Sequence, residues 1–313
     1  MVTSRKKLDF WFWVKVVVIG FMLIFLIYPF CTLITRSFFS NKTAGFTFEN
    51  YIRFFTKKYY YSALGRSLFV SIVTTCTTLL VGVPIAYIMS RYNVFGKNFI
   101  HIFIIMSLMS PPFIGAYSWI MLFGRAGFVT RLFANIGIHL PSIYGKLGII
   151  LVFTFKLFPY VYLYTSGAMG SIDSSIEEAA ENLGSNKLRR LLTITLPVVA
   201  PSIAAGAIMV FMTSLADFGT PMLIGEGYKT FPVLIYSQFM GEVSTDDHFA
   251  AALCAIQKPG EHTHFTHLGR TATRLANVLN NQKHAFLNDR RLGVLEDHPI
   301  LRVIPDFLLA LIG

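Results

Sequence analysis

The sequence predicts an all-α, polytopic helical membrane protein, and three observations carry that prediction. Of 313 residues, 54% are hydrophobic and only 14% charged, which is too apolar for an ordinary soluble domain. Apolar stretches of membrane length recur near 14–34, 68–89, 99–123, 147–168 and 198–215, and another opens at 249–256, giving about six spans with the sixth incomplete. Basic residues gather beside these stretches, so the net charge of +11 reads as the positive bias of a membrane protein rather than a nucleic-acid surface, and no nucleic-acid partner is expected. Cys31, Cys76 and Cys254 sit in apolar sequence without paired spacing, so neither a disulfide framework nor a cysteine metal site is indicated.

Arg5, Lys6 and Lys7 precede the first apolar run, from about Val14 to Ile34. That run exceeds the apolar core of a cleaved signal, about 7–15 residues, and lacks a small-residue cleavage site, so it is expected to stay as a span. Residues from about Ser37 to Ser62 are polar and aromatic (Phe46, Phe48, Tyr51, Phe54, Phe55, then Tyr59 to Tyr61), as expected for an interfacial outer segment. The second span contains Pro84, and the third carries Pro111-Pro112 at its middle. Proline frees a backbone carbonyl, which lipid cannot satisfy, so such spans should pack against neighbours or line a water-filled path.

The fourth span holds Lys156 and Pro159. An ionisable residue at membrane depth is a functional candidate by default, although Lys156 has no carboxylate partner evident in the sequence. His101 lies near a span end, where a histidine needs no special role. The fifth span is followed by Asp217, which either caps a turn or lines a pathway, and Lys156 and Asp217 together are the candidate pathway residues. Gly225 to Asp247 reads as an outer loop.

Between the fourth and fifth spans, Ser174 to Pro197 reads as two short helices on a glycine hinge. Ser174 and Ser175 are each followed three residues later by a glutamate (Glu177, Glu178), the capping-box pattern. Ile176, Ala179, Ala180 and Leu183 recur at helical spacing and form one apolar face. Gly184 supplies the left-handed stop, Ser185 caps a second helix with Leu188, Leu191 and Leu192 on one face, and Pro197 closes the unit.

Taken literally the spacing is Glu178-Ala179-Ala180, three residues, Gly184, nine residues, Ile194-x-Leu196-Pro197. This resembles the EAA loop of permease subunits of binding-protein-dependent ABC importers and matches that pattern at every fixed position. The resemblance covers residues from about 10 to 256 and implies a type I ABC importer permease-like fold in the bacterial cytoplasmic (inner) membrane. It implies that the loop, 174–197, is cytoplasmic and docks into a cleft on a separate ATP-binding subunit. Glu178, Ala179, Ala180, Gly184, Ile194, Leu196 and Pro197 would then be the coupling residues. It further implies a periplasmic substrate-binding protein and a second permease half or copy as partners. A softer similarity, Ser214 to Gly225 followed by Phe231 to Tyr236, is to ferric-iron importer permeases and implies ferric iron as cargo. Polyamine, thiamine, phosphonate and inorganic-anion importers share the loop and remain alternatives.

Basic density gives a weak bias to the orientation, and span parity does the rest. With the amino terminus inside, the short inner stretches hold Arg5, Lys6, Lys7, Arg91, Lys97, Lys187, Arg189 and Arg190, the longer outer loops hold Lys42, Arg53, Lys57, Lys58, Arg125, Arg131 and Lys229, and four spans return the loop to the side of the amino terminus. No GxxxxGK[ST] phosphate loop occurs, so ATP hydrolysis belongs elsewhere, and no cofactor is expected. An ion-coupled carrier would need paired carboxylates at mid-membrane, and an enzyme a His/Cys/Asp constellation there; the spans offer neither.

From Gln257 the character changes. Residues 257–313 carry 12 charged residues but three aromatics, against 44 aromatics in the first 256. The abruptness suggests a shifted reading frame, a fusion scar or a truncated gene. His262-x-His264-x-x-His267 imitates a metal site, but no cysteine or second cluster completes it, and no metal ligand is assigned.

Overall fold

The computed structural model describes residues 10–40, 45–172, 174–241 and 246–257, and no strand occurs among them. The tail from 258 onwards, with His262, His264 and His267, lies outside the described residues. The described residues fall into two compact units, one within Met1–Tyr61 and Ile235–Pro259, the other within Ser62–Leu234.

The first unit begins with α1, Phe10–Ser37, whose side chains are exposed almost throughout, as lipid-facing residues must be. Helix α2, Glu49–Thr56, follows. Asn50, buried at 3% exposure, donates its amide to the carbonyls of Ser37 (3.2 Å) and Phe39 (2.8 Å), tying α2 to the end of α1. The aromatic segment expected at the interface is thus partly helical, with Phe38, Phe46, Phe48 and Tyr51 stacked together. Arg53 pairs with Asp246 at 2.7 Å and lies 4.2 Å over the Phe249 ring. Burial penalises its charge, yet the Asp246 and Tyr60 partners outweigh that and hold the guanidinium above its ordinary value. The last described helix runs over residues 247–257, where the sequence predicts that a sixth span opens.

The second unit is built around α7, Lys146–Gly170, which buries residues on all sides, the mark of a central helix. Ile149, Phe153, Leu157 and Val161 of α7 form one core with Val70 of α3 (Lys58–Arg91), Ala116 of α5 (Pro112–Phe123) and Val210 of α10 (Leu196–Ala216). Two glycines bring helices into backbone contact with α7. A Cβ at Gly82 would lie 2.8 Å from the Val161 Cβ, and one at Gly206 would lie 3.2 Å from the Val161 Cα. Small residues at such crossings replace the hydrophobic drive that lipid cannot supply.

The expected third span is not one helix. It divides into α4, Lys97–Leu108, and α5, and the chain bends by 111° between Lys97–Leu108 and the run Phe113–Asn135, which includes α6, Phe128–Asn135. Pro111 and Pro112 remove two consecutive donors, so an unbroken helix cannot pass through them. Among the described residues four helices are long and apolar enough to cross a membrane, or five if the bent pair is one span. The expected outer loop Gly225 to Asp247 likewise contains α12, Phe231–Phe239.

Two sets of loops meet at opposite ends of α3. Near its start, Arg66 lies 5.5 Å over the Tyr228 ring; Arg91, at its end, joins the hairpin residues around a cavity. Those arginines are about 38 Å apart along the axis, more than the roughly 30 Å of bilayer hydrocarbon. Arg125, which pairs with Glu226, and Tyr144 join the Tyr228 end.

Candidate coupling hairpin and membrane-buried ion pair

Helix α8, Ser174–Asn182, forms the first arm of the hairpin. It ends in a Schellman motif: the Ser185 N–H donates to the Ala180 carbonyl (3.0 Å) and the Gly184 N–H to the Glu181 carbonyl (2.9 Å). Gly184 has φ +82°, and nothing lies within 4 Å of where its Cβ would stand. Glycine is therefore required by the turn of the backbone, not by space. The first turn, where a capping box was expected, lies partly on side chains outside those described.

The second arm corrects two expectations. Its cap is Asn186, not Ser185: the Asn186 Oδ1 accepts from the Arg189 N–H at 2.8 Å. Nor does the arm end at Pro197. Helix α9, Lys187–Arg190, runs through a π-helical turn, Leu191–Thr195, directly into α10. The Leu196 N–H bonds to the Leu191 carbonyl five residues back, the widened ring of a π turn. A proline one residue further on would collide with the Thr193 carbonyl in a tight α-helix, and the wider turn relieves that collision.

The predicted coupling positions consequently separate. Glu178 and Ala179 are exposed and Ala180 half-buried on α8, whereas Ile194, Leu196 and Pro197 are half-buried where the arm joins α10. Leu183, one residue beyond α8 and the last of the expected apolar series, is 81% exposed, and Ala179 is exposed as well. Arg190, with its side chain 13% exposed, pairs with Glu181 and ties the arms together.

Within the membrane helices, Lys156 and Asp217 meet. Lys156 stands on α7 about 15 Å from the Lys146 end, and its Nζ donates to the Asp217 Oδ2. Both are partly buried, with side chains 19% and 7% exposed. The absence of a carboxylate partner inferred from sequence is thus overturned; the partner lies 61 residues away in the chain. Asp217 also accepts from the Thr220 N–H (3.0 Å) at the start of α11, Gly219–Ile224, so it caps that turn as well. Phe218 meets Phe113 edge-on at 5.9 Å, which places the pair beside the broken third span. The Thr220 hydroxyl is buried with no hydrogen-bond partner among the described residues. His101 is bound structurally, to the Tyr162 hydroxyl at 2.8 Å.

The pattern of the family described as "binding-protein-dependent transport system inner membrane component" matches residues 82–256, more than half of the chain. The chain belongs to this family. A putative ferric transport system permease protein of Haemophilus influenzae is 30% identical over 223 residues, covering 69% of this permease. The permease spans only 34% of that relative's length. A molybdenum transport system permease protein of the same organism is 30% identical over 182 residues, covering 56% of the permease and 78% of the relative. A solved structure of a bacterial ABC transporter that imports alginate superposes with a TM-score of 0.66 at 17% identity, over 87% of the permease and 94% of that chain. The likeness carries the fold, that of an ABC importer permease.

Several elements of the permease escaped the sequence reading. The Glu181–Arg190 tie joins residues on separate helices, and only the hinge at Gly184 brings them together. Ser185 and Asn186 are both good caps, so composition cannot choose between them. Gly82 and Gly206 lack any local signal, because the need for them arises at a crossing between helices.

Proposed function

We propose that the chain is the permease subunit of a bacterial ABC importer, carrying ferric iron delivered by a periplasmic binding protein and driven by a separate ATPase subunit. The observation that carries the coupling role is the exposed end of the first arm, Ala179 and Leu183, turned by Gly184 into a second arm that runs on into α10. An exposed apolar end of this kind is a docking surface for another chain, and a continuous helix passes displacement of the arm into the membrane. Glu178, Ala179 and Ala180 contact the ATPase; Gly184, Ile194, Leu196 and Pro197 hold the geometry. The amino terminus and the hairpin lie in the cytoplasm, and a second permease half or copy completes the path. Lys156, Asp217 and the Thr220 hydroxyl form a polar station on it, next to the break in the third span.

Ferric iron is favoured by the similarity of Ser214 to Gly225 to iron permeases and by the ferric relative. A molybdenum cargo is the second reading, favoured by the greater share of that relative which the permease covers. Cells carrying the intact system should accumulate radiolabelled ferric iron only with the binding protein and ATP present, and disruption should slow growth only when iron is scarce. Unchanged ferric uptake after disruption, with no second iron importer present, overturns the iron assignment, and loss of molybdate uptake in that strain establishes the alternative.

A further inference from the structure

The Lys156–Asp217 pair is unequal in what it leaves open. An ammonium has three donors and no acceptor, and among the described residues Lys156 uses one of them, on the Asp217 Oδ2. Both carboxylate oxygens are engaged, since Oδ1 accepts from the Thr220 N–H at 3.0 Å. The Thr220 hydroxyl, fully buried, can donate as well and has no partner among the described residues. Access is unequal too. The Lys156 side chain is the more exposed of the two and ends a flexible four-carbon stem, whereas Asp217 is held by the turn that it caps. An incoming anion can draw the ammonium aside and leave Asp217 in place on Thr220. An incoming cation would have to take a carboxylate that is already neutralised and strand the lysine, the costly outcome for a charge out of water.

The surrounding sequence has the same sign. Residues 50–172 and 182–216, which contain α3, α4, α5, α7 and α10, include no Asp or Glu. Glu226, the next acidic residue after Asp217, is paired with Arg125. A hard cation is held by several oxygen ligands, carboxylates prominent among them, and Asp217 supplies one carboxylate.

We propose that Lys156 and the Thr220 hydroxyl receive an anionic oxygen of the cargo, which passes as an oxyanion such as molybdate, or as ferric iron still carrying an anionic oxygen ligand, and not as a bare cation. The proposal rests on the reading of the pair as a station on the path. The Lys156 Nζ turns from Asp217 to the cargo oxygen, a charge-assisted hydrogen bond replacing another, while the Thr220 hydroxyl donates beside it. Return of the ammonium to Asp217 releases the cargo. Asp217 is thus a built-in competitor that keeps the hold weak enough for passage.

The test is equilibrium dialysis of the full chain, purified in detergent, against radiolabelled molybdate, radiolabelled ferric citrate and, as the bare trivalent cation, lanthanum. An anion station and a cation station predict opposite signs. Asp217→Asn frees the ammonium and should bind molybdate or ferric citrate about threefold more tightly than wild type, and Lys156→Gln should bind it at least tenfold more weakly. Thr220→Val should weaken binding about threefold; because that hydroxyl has no partner to lose, this variant carries the test if the charge variants do not fold. Arg131→Gln, which removes a charge on exposed α6, should bind within about twofold of wild type. Binding of molybdate in this pattern makes the cargo an oxyanion, and binding of ferric citrate in its place makes it iron with its ligand. Binding of neither, equal binding by wild type, Lys156→Gln and Thr220→Val, or lanthanum binding that tightens in Lys156→Gln overturns the proposal. The readout is binding to the permease chain by itself, so its failure leaves the importer reading standing, and an importer that moves neither cargo while this binding persists fails separately.

Discussion

A buried ion pair is a poor source of stability and a strong constraint on its own partners. Bringing Lys156 and Asp217 out of water costs several kcal/mol per ion, and their attraction roughly returns it. Removing one partner leaves the other charge stranded. Asp217→Asn is therefore expected to destabilise the protein by about 3 kcal/mol in detergent unfolding, and the double change Lys156→Met/Asp217→Leu should recover most of that loss. Stability and uptake then separate the roles. If the pair serves the pathway, the double variant regains stability but not transport; a double variant that transports like wild type would reduce the pair to architecture. The pair was only half legible in the sequence. Each charge was noticed, because ionisable residues in apolar stretches are rare, but a partner 61 positions away cannot be found by local spacing.

At the scale of elements, the hairpin was the most readable part of the chain. Its glycine, its apolar face and its proline are all local signals, and the Schellman turn forms where Gly184 foretold it. What local signals could not give is the continuity beyond it: a proline ordinarily ends a helix, and here a π turn carries the helix past. The third span shows the converse, with two prolines breaking a stretch whose hydropathy alone reads as one helix. For the hairpin the conformational argument predicts an order. A non-glycine residue in the left-handed region costs about 1–2 kcal/mol, and asparagine tolerates that region better than alanine. Gly184→Ala should therefore reduce ATP-dependent uptake per inserted molecule severalfold, with Gly184→Asn between it and wild type. Equal uptake by Gly184→Ala would show that the turn does not transmit the stroke.

For the whole molecule, the helical membrane fold was legible because lipid enforces long apolar segments, whereas the pairing of helices depended on Gly82, Gly206 and Val161, which carry no signal of period or charge. The orientation drawn from basic residues predicts which loops face outward. Single cysteines placed at Gly227 and at Ser185, in a background lacking Cys31, Cys76 and Cys254, should react with a membrane-impermeant maleimide from opposite faces. Labelling of Gly227→Cys in intact cells and of Ser185→Cys only in inverted vesicles is expected. The reverse result would turn the molecule over in the membrane and remove the hairpin from the reach of ATP.

The break at Pro111-Pro112 has an electrical side. Neither proline carries an N–H, so the carbonyls of Ser107 and Leu108 lose their helical donors, and Ser107 is left with a 3.4 Å bond from Ser110. Helix α4 stops there with its negative end, and α5 starts with its positive end a few residues later. One kink in an uncharged, apolar stretch thus sets opposite half-charges side by side. A charge placed at that break would meet carbonyl oxygens on one side and amide hydrogens on the other.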